Sequence, residues 1–127
     1  MSRKKRFKIP FDSRGGVVVM SRFLLNHENY LTLPPQAKIL MQLMQEQWRD
    51  EKEVDYGIRE ASDKIPCSRA TAAKAFNILR ERGFIVLVDE SMFSSRTNSK
   101  SRTWRLTWMP FCGRKPTNDW EIWIDEN

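Results

Sequence analysis

Apolar residues recur at helical spacing through the middle of this chain and at strand spacing after it. From Pro35 to Trp48, the residues Ala37, Leu40, Met41, Met44 and Trp48 fall three and four apart, which predicts an amphipathic helix with those side chains on its buried face. A proline in the first turn is tolerated because its missing N–H would have had no intrahelical partner. Residues 49 to 57 are polar and end in Tyr56-Gly57, so they read as a loop with a one-bridge strand at Val54 to Tyr56. Ile58 to Ile65 forms two helical turns with Ile58, Ala61 and Ile65 inward, and Pro66 stops it. Ser68 is placed to cap a longer helix to Arg82. Its inward stripe is Ala72, Ala75, Phe76 and Leu79, and Gly83 suits the end.

Beyond Gly83 the period shortens to two. Phe84 to Val88 is β-branched and aromatic, and in Thr103 to Trp108 the residues Trp104, Leu106 and Trp108 alternate with polar positions. Asp89 to Arg102, between them, is rich in Ser, Asn, Lys and Arg, so the pair predicts a hairpin with a long basic tip. Upstream, Gly15 and Gly16 separate a basic tail from Val17 to Met20, a short strand or extended lead-in. Ser21 then caps a short helix through Phe23, Leu24 and Leu25 that ends near Asn26 to Asn29. Trp120, Ile122 and Ile124 also alternate and are open to three readings: an extra strand, a partner-binding peptide, or a flap. Docking on the chain's own fold is the preferred expectation.

A short helix, a tight break, a longer helix and a hairpin make an α+β winged helix-turn-helix, with three to four helices plus a β-hairpin wing. The second helix of such a pair enters the major groove, so what matters is the side left outside its buried stripe. There stand Ser68, Arg69, Ala70, Thr71, Ala73, Lys74 and Asn77, a basic and slim set. Arg69 has the chemistry to pair with guanine and Asn77 with adenine, while Thr71 or an alanine methyl can meet a thymine methyl. Ser68 and the helix N-terminus offer N–H groups to a phosphate. Arg96, Lys100 and Arg102 in the wing have no acid nearby in sequence, which suits backbone or minor-groove contact. Trp104 and Trp108 are expected in the core, with base stacking as the alternative.

Charge sharpens this picture. The chain has 127 residues, enough for one domain, and a net charge of +6, which favours a polyanionic partner. The charge is segregated: Arg3, Lys4, Lys5, Arg6, Lys8 and Arg14 stand against Asp12 alone, whereas residues 50 to 63 and the last eleven residues are acidic. The expected division is a basic flexible tail 1–14, a winged-helix domain 15–110 and an acidic Trp-containing tail 111–127. No run of even ten apolar residues exists, too short for a span of about 20. With no signal-type apolar segment, the expected location is the cytoplasm, associated with the nucleoid.

The stretch Ser68-Arg-Ala-Thr-Ala-Ala-Lys-Ala-Phe-Asn-Ile-Leu-Arg-Glu-Arg-Gly-Phe-Ile85 resembles the recognition helix and wing start of bacterial winged helix-turn-helix proteins. Gly15-Gly-Val-Val-Val, Leu33-Pro-Pro-Gln-Ala-Lys and Trp104-Arg-Leu-Thr-Trp-Met-Pro are similar to small winged-helix proteins of phages, plasmids and integrative elements, some of them like phage replication-protein N-terminal domains. Two departures are Pro34, where that family tends to carry a Ser cap, and Ile65-Pro-Cys67, where it tends to carry Gly. The resemblance implies sequence-specific binding of double-stranded DNA by a transcriptional regulator of a mobile element. Alternatives are a replication or partition initiation factor, and a protein-interaction module or inhibitor of the same shape. A homodimer and a protein partner held by the acidic tail are further candidate partners.

An enzyme is not expected. The sole histidine, His27, has no cysteine nearby, and Cys67 and Cys112 belong to no metal-ligand spacing. Gly15-Gly16 lacks the rest of a phosphate-cradling loop. The inventory therefore predicts no catalytic residue, no cofactor and no metal.

Overall fold

The computed structural model describes residues 14 to 90 and 102 to 126. These form a mixed α+β unit of five helices and a three-stranded antiparallel sheet. The helices are α1 (Arg22–Leu25), α2 (Glu28–Leu31), α3 (Pro35–Glu46), α4 (Ile58–Lys64) and α5 (Arg69–Glu81). The strands are β1 (Val54–Asp55), β2 (Ile85–Glu90) and β3 (Arg102–Leu106), with β3 in the middle. Val54 pairs with Trp104 and Ile85 with Leu106.

α3, α4 and α5 lie where the apolar spacing places them, because burying each stripe removes it from water at about 25 cal/mol per Å². Leu40, Met41 and Met44 from α3, Ala61 from α4 and Ala72, Phe76 and Leu79 from α5 are at most 2% exposed. They meet Val54, Trp104 and Leu106 from the sheet, and the Phe76 ring stacks on Trp104 at 5.3 Å between centroids. Trp104 is therefore core, and its Nε1 donates to the Tyr56 carbonyl oxygen at 3.0 Å. The Tyr56 hydroxyl, by contrast, is buried without a hydrogen-bond partner among the described residues. Burial, with the carboxylates of Glu60 and Glu46, pushes this phenol up to about 12.

Three local features differ from the reading of the pattern, and one open alternative is decided. α3 stops at Glu46, and Trp48 leaves the helical face because its indole N–H reaches the Pro110 carbonyl oxygen at 2.9 Å. Val17 to Met20 lies in no strand, which leaves the lead-in reading; the Val19 carbonyl oxygen accepts from the Gln45 side chain and Met20 packs against the core. The expected single short helix is two, since His27 caps α2 by accepting the Asn29 backbone N–H at its Nδ1, 3.0 Å away. In the hairpin, β2 runs on to Glu90 and β3 starts at Arg102, so the strands extend into the stretch read as a tip. β3 also ends at Leu106; Thr107 is fully buried, with its hydroxyl donating to the Gly83 carbonyl oxygen.

Candidate nucleic-acid interface

The connection between α4 and α5 is residues 65 to 68, and it is pinned from both sides. The Cys67 backbone N–H donates to the Ser62 carbonyl oxygen and the Ser62 hydroxyl donates back to the Cys67 carbonyl oxygen. This reciprocal pair fixes a turn that contains no glycine. Ser68 then starts α5 with extended φ and ψ, its Oγ accepting from the Thr71 backbone N–H at 3.1 Å, as a helix cap does.

At the far end, α5 is closed by paired bonds from Phe84 N–H to the Leu79 carbonyl oxygen and from Gly83 N–H to that of Arg80. Gly83 has φ +85°, and a Cβ there would stand 3.0 Å from the Asp119 backbone. Only glycine meets both demands.

Between these ends, the outward side of α5 is open. Ser68, Arg69, Ala70, Lys74 and Asn77 are exposed, and Thr71 and Ala73 are half-buried. Ala70, Lys74 and Asn77 make the centre line at spacings of four and three, with Arg69 and Ala73 to one side. Neither Arg69 nor Lys74 has an acid partner among the described residues. Thr71 is partly engaged: its Oγ1 accepts from the Ser68 hydroxyl at 3.0 Å, which leaves it a proton to donate. Glu81 is exposed on the continuation of the same line, so the acid-free surface ends before the helix does.

The other expected contact residues divide. Arg102 is half-buried at the start of β3, opposite Glu90 in the ladder, and its carbonyl oxygen accepts from the Tyr56 N–H. It belongs to the sheet rather than to a loop tip. Arg96 and Lys100 lie outside the described residues, as does the basic run from Arg3 to Lys8. The nearby Arg82 faces away from the site: its guanidinium donates to the Asn29 carbonyl oxygen and the Thr32 hydroxyl and covers the Trp123 ring at 4.3 Å.

The C-terminal stretch does not reach this surface. Trp120 is buried, stacked on Phe84 at 5.5 Å and met edge-on by His27 at 4.8 Å. The Asn29 side-chain amide donates to the carbonyl oxygens of both Trp120 and Trp123. Residues 119–122 form a 3₁₀ turn, which buries Trp120 and leaves Ile122 and Ile124 exposed. This seat lies against α2 and the C-terminal end of α5.

Sequence reasoning missed the roles of Asn29 and Gln45. Both side chains are buried and find their partners far along the chain, Asn29 at Trp120 and Trp123 and Gln45 at the Val19 carbonyl oxygen. Gln45 also accepts from the Trp108 indole N–H. Among the described residues, no group of three or more His, Cys, Asp or Glu is placed to hold a metal ion. None of their helices is long and apolar enough to cross a membrane. Comparison with protein-family models, with curated proteins and with solved structures finds no match for this chain.

Proposed function

We propose that this chain is a winged-helix protein that binds double-stranded DNA, with α5 in the major groove and the β2–β3 hairpin as the wing on the adjacent backbone. The observation that carries the reading is the open outward side of α5, where Arg69, Ala70, Lys74 and Asn77 stand exposed without a partner among the described residues. A solvated helix face normally mixes signs; this one holds cations, an amide and methyl groups until Glu81.

The geometry supports an approach by the N-terminal end. Glu81 would meet phosphates if the helix lay lengthwise in the groove, so its last turn must stand clear. Ala70 and Asn77 are two turns apart, about 10 Å, which corresponds to about three base steps. Small side chains at Ala70 and Ala73 let the backbone approach base edges, and Asn77 has the amide that pairs with adenine N6 and N7. Lys74, on this line, and Arg69, beside it, supply guanine or phosphate contacts. The expected role is sequence-specific recognition in transcriptional regulation.

Selection of bound duplexes from a random library tests this. The wild type should enrich one short motif, and Asn77→Ala should relax a single position while the others stay fixed. Enrichment of no motif by the wild type would remove base reading from the proposal.

A further inference from the structure

Ile122 and Ile124 are 81% and 76% exposed, although the stretch that carries them is fastened by buried Trp120 and by the Asn29 bridges. Beside them is an open hollow of about 640 Å³ whose lining holds four acids, Glu81, Asp119, Asp125 and Glu126, and one cation, Arg82, with Asp119 also 3.9 Å from the Arg105 guanidinium. That guanidinium is already used on Asn29, Thr32 and the Trp123 ring. The result is a fixed acidic face bearing two bare aliphatic side chains, and a complementary surface must be cationic with apolar side chains interleaved.

The chain contains one such segment. Residues 3 to 11 read Arg-Lys-Lys-Arg-Phe-Lys-Ile-Pro-Phe: five cations, no acid, and Phe7, Ile9 and Phe11 at every second position. An extended backbone places alternate side chains on one side. The residues before Arg14 can span about 40 Å, whereas a globule of this length has a radius of gyration of about 14 Å. The cations at residues 3 to 8 can therefore lie about 20 to 36 Å from Arg14, which covers much of the surface.

We propose that residues 3 to 11 dock within the same molecule on the acidic face at Ile122, Ile124 and the carboxylates beside them. The face then competes with DNA for the arm's cations, a consequence that rests on the DNA-binding reading, whereas the docking itself does not. A tethered segment acts at an effective concentration of order millimolar, so even a weak contact is populated. Because the charges are exposed, about 0.5 M salt should release it. In function, the acidic face would hold the arm away from random sequence until a duplex seated on α5 outcompetes it.

Amide spectra of the full chain decide the docking without DNA. At low salt, residues 121 to 126 should differ between the wild type and Lys4→Gln/Lys5→Gln/Arg6→Gln/Lys8→Gln, and at about 0.5 M salt the two spectra should coincide there. Ile122→Ser/Ile124→Ser, on exposed positions, should shrink the low-salt difference. Coincident spectra at low salt would overturn the proposal. So would a difference that grows with protein concentration alongside the mass in solution, because the occupant would then be a second copy. For the competition, Asp125→Asn/Glu126→Gln should tighten binding to random duplex roughly threefold or more at low salt with the arm cations present, and much less with them neutralised. Equal tightening in both backgrounds, or no binding to DNA at all, would overturn the competition.

Discussion

The two ends of α5 carry similar residues and put them to opposite uses. At the C-terminal end, the guanidinium of Arg82 closes α2, covers an indole and so ties α2, α5 and the C-terminal stretch together. At the N-terminal end, Arg69 and Lys74 touch no acid among the described residues. A cation that is clamped belongs to the fold, and one left without a partner on a slim, open face is available to a ligand. Residue type alone does not distinguish the two; the partners do.

Removing the anchor of the clamped end should have the largest effect. Trp120→Ala loses the stack on Phe84 and opens a hole in a well-packed site, so denaturant titration should show a loss of about 3–5 kcal/mol. The contrast between the ends is then tested by matched substitutions. Arg82→Ala should cost about 1–3 kcal/mol of stability, because it strips charged hydrogen bonds from α2. Arg69→Ala should change stability by no more than about 0.5 kcal/mol and instead weaken DNA binding by about 1–3 kcal/mol. A stability loss for Arg69→Ala equal to that of Arg82→Ala would abolish the contrast.

Much of this was legible in the sequence, and the parts that were not have a common physical origin. The stripe of α5, its Ser68 cap and its glycine end were readable because each depends on neighbours within a few residues. The pairing of β2 with β3 was readable in the same way, since the composition and alternation that mark each strand are local. Trp48 and Thr107 were misread because each is settled by a distant partner, the Pro110 carbonyl oxygen for the first and Gly83 for the second, whereas Trp120 docks on the chain's own fold as expected, held by Phe84 and Asn29. Alternation at Trp120, Ile122 and Ile124 suggests a strand, yet only Trp120 has a socket. For the candidate interface, the outward set on α5 was legible because it is the complement of a readable stripe. The place of Arg102 in the ladder was not, since it depends on where a strand begins.

Smaller effects sharpen the account further. Ser68→Ala should cost about 1 kcal/mol, by leaving the Thr71 N–H without its cap, and thermal unfolding would register it. Tyr56→Phe should be neutral or stabilising by up to about 1 kcal/mol, because it removes a buried hydroxyl that makes no hydrogen bond among the described residues. The pH dependence gives the sign. An unfolded phenol titrates near 10.0 and the folded one near 12. Below pH 10 both are neutral and add no pH dependence. Between these values the unfolded chain releases a proton that the native one keeps, so the wild type loses stability as pH rises. The advantage of Tyr56→Phe should therefore widen above pH 10, as urea titrations at several pH values would show.

The outward N-terminal side of α5 is the surface proposed to receive a duplex. Titration of the full chain with random-sequence duplex DNA across a range of salt concentrations tests it most directly. The expected result is binding whose logarithmic affinity falls linearly with the logarithm of salt, with a shallower slope for Lys74→Ala. Absence of any salt-dependent association, or a slope untouched by that substitution, would contradict it.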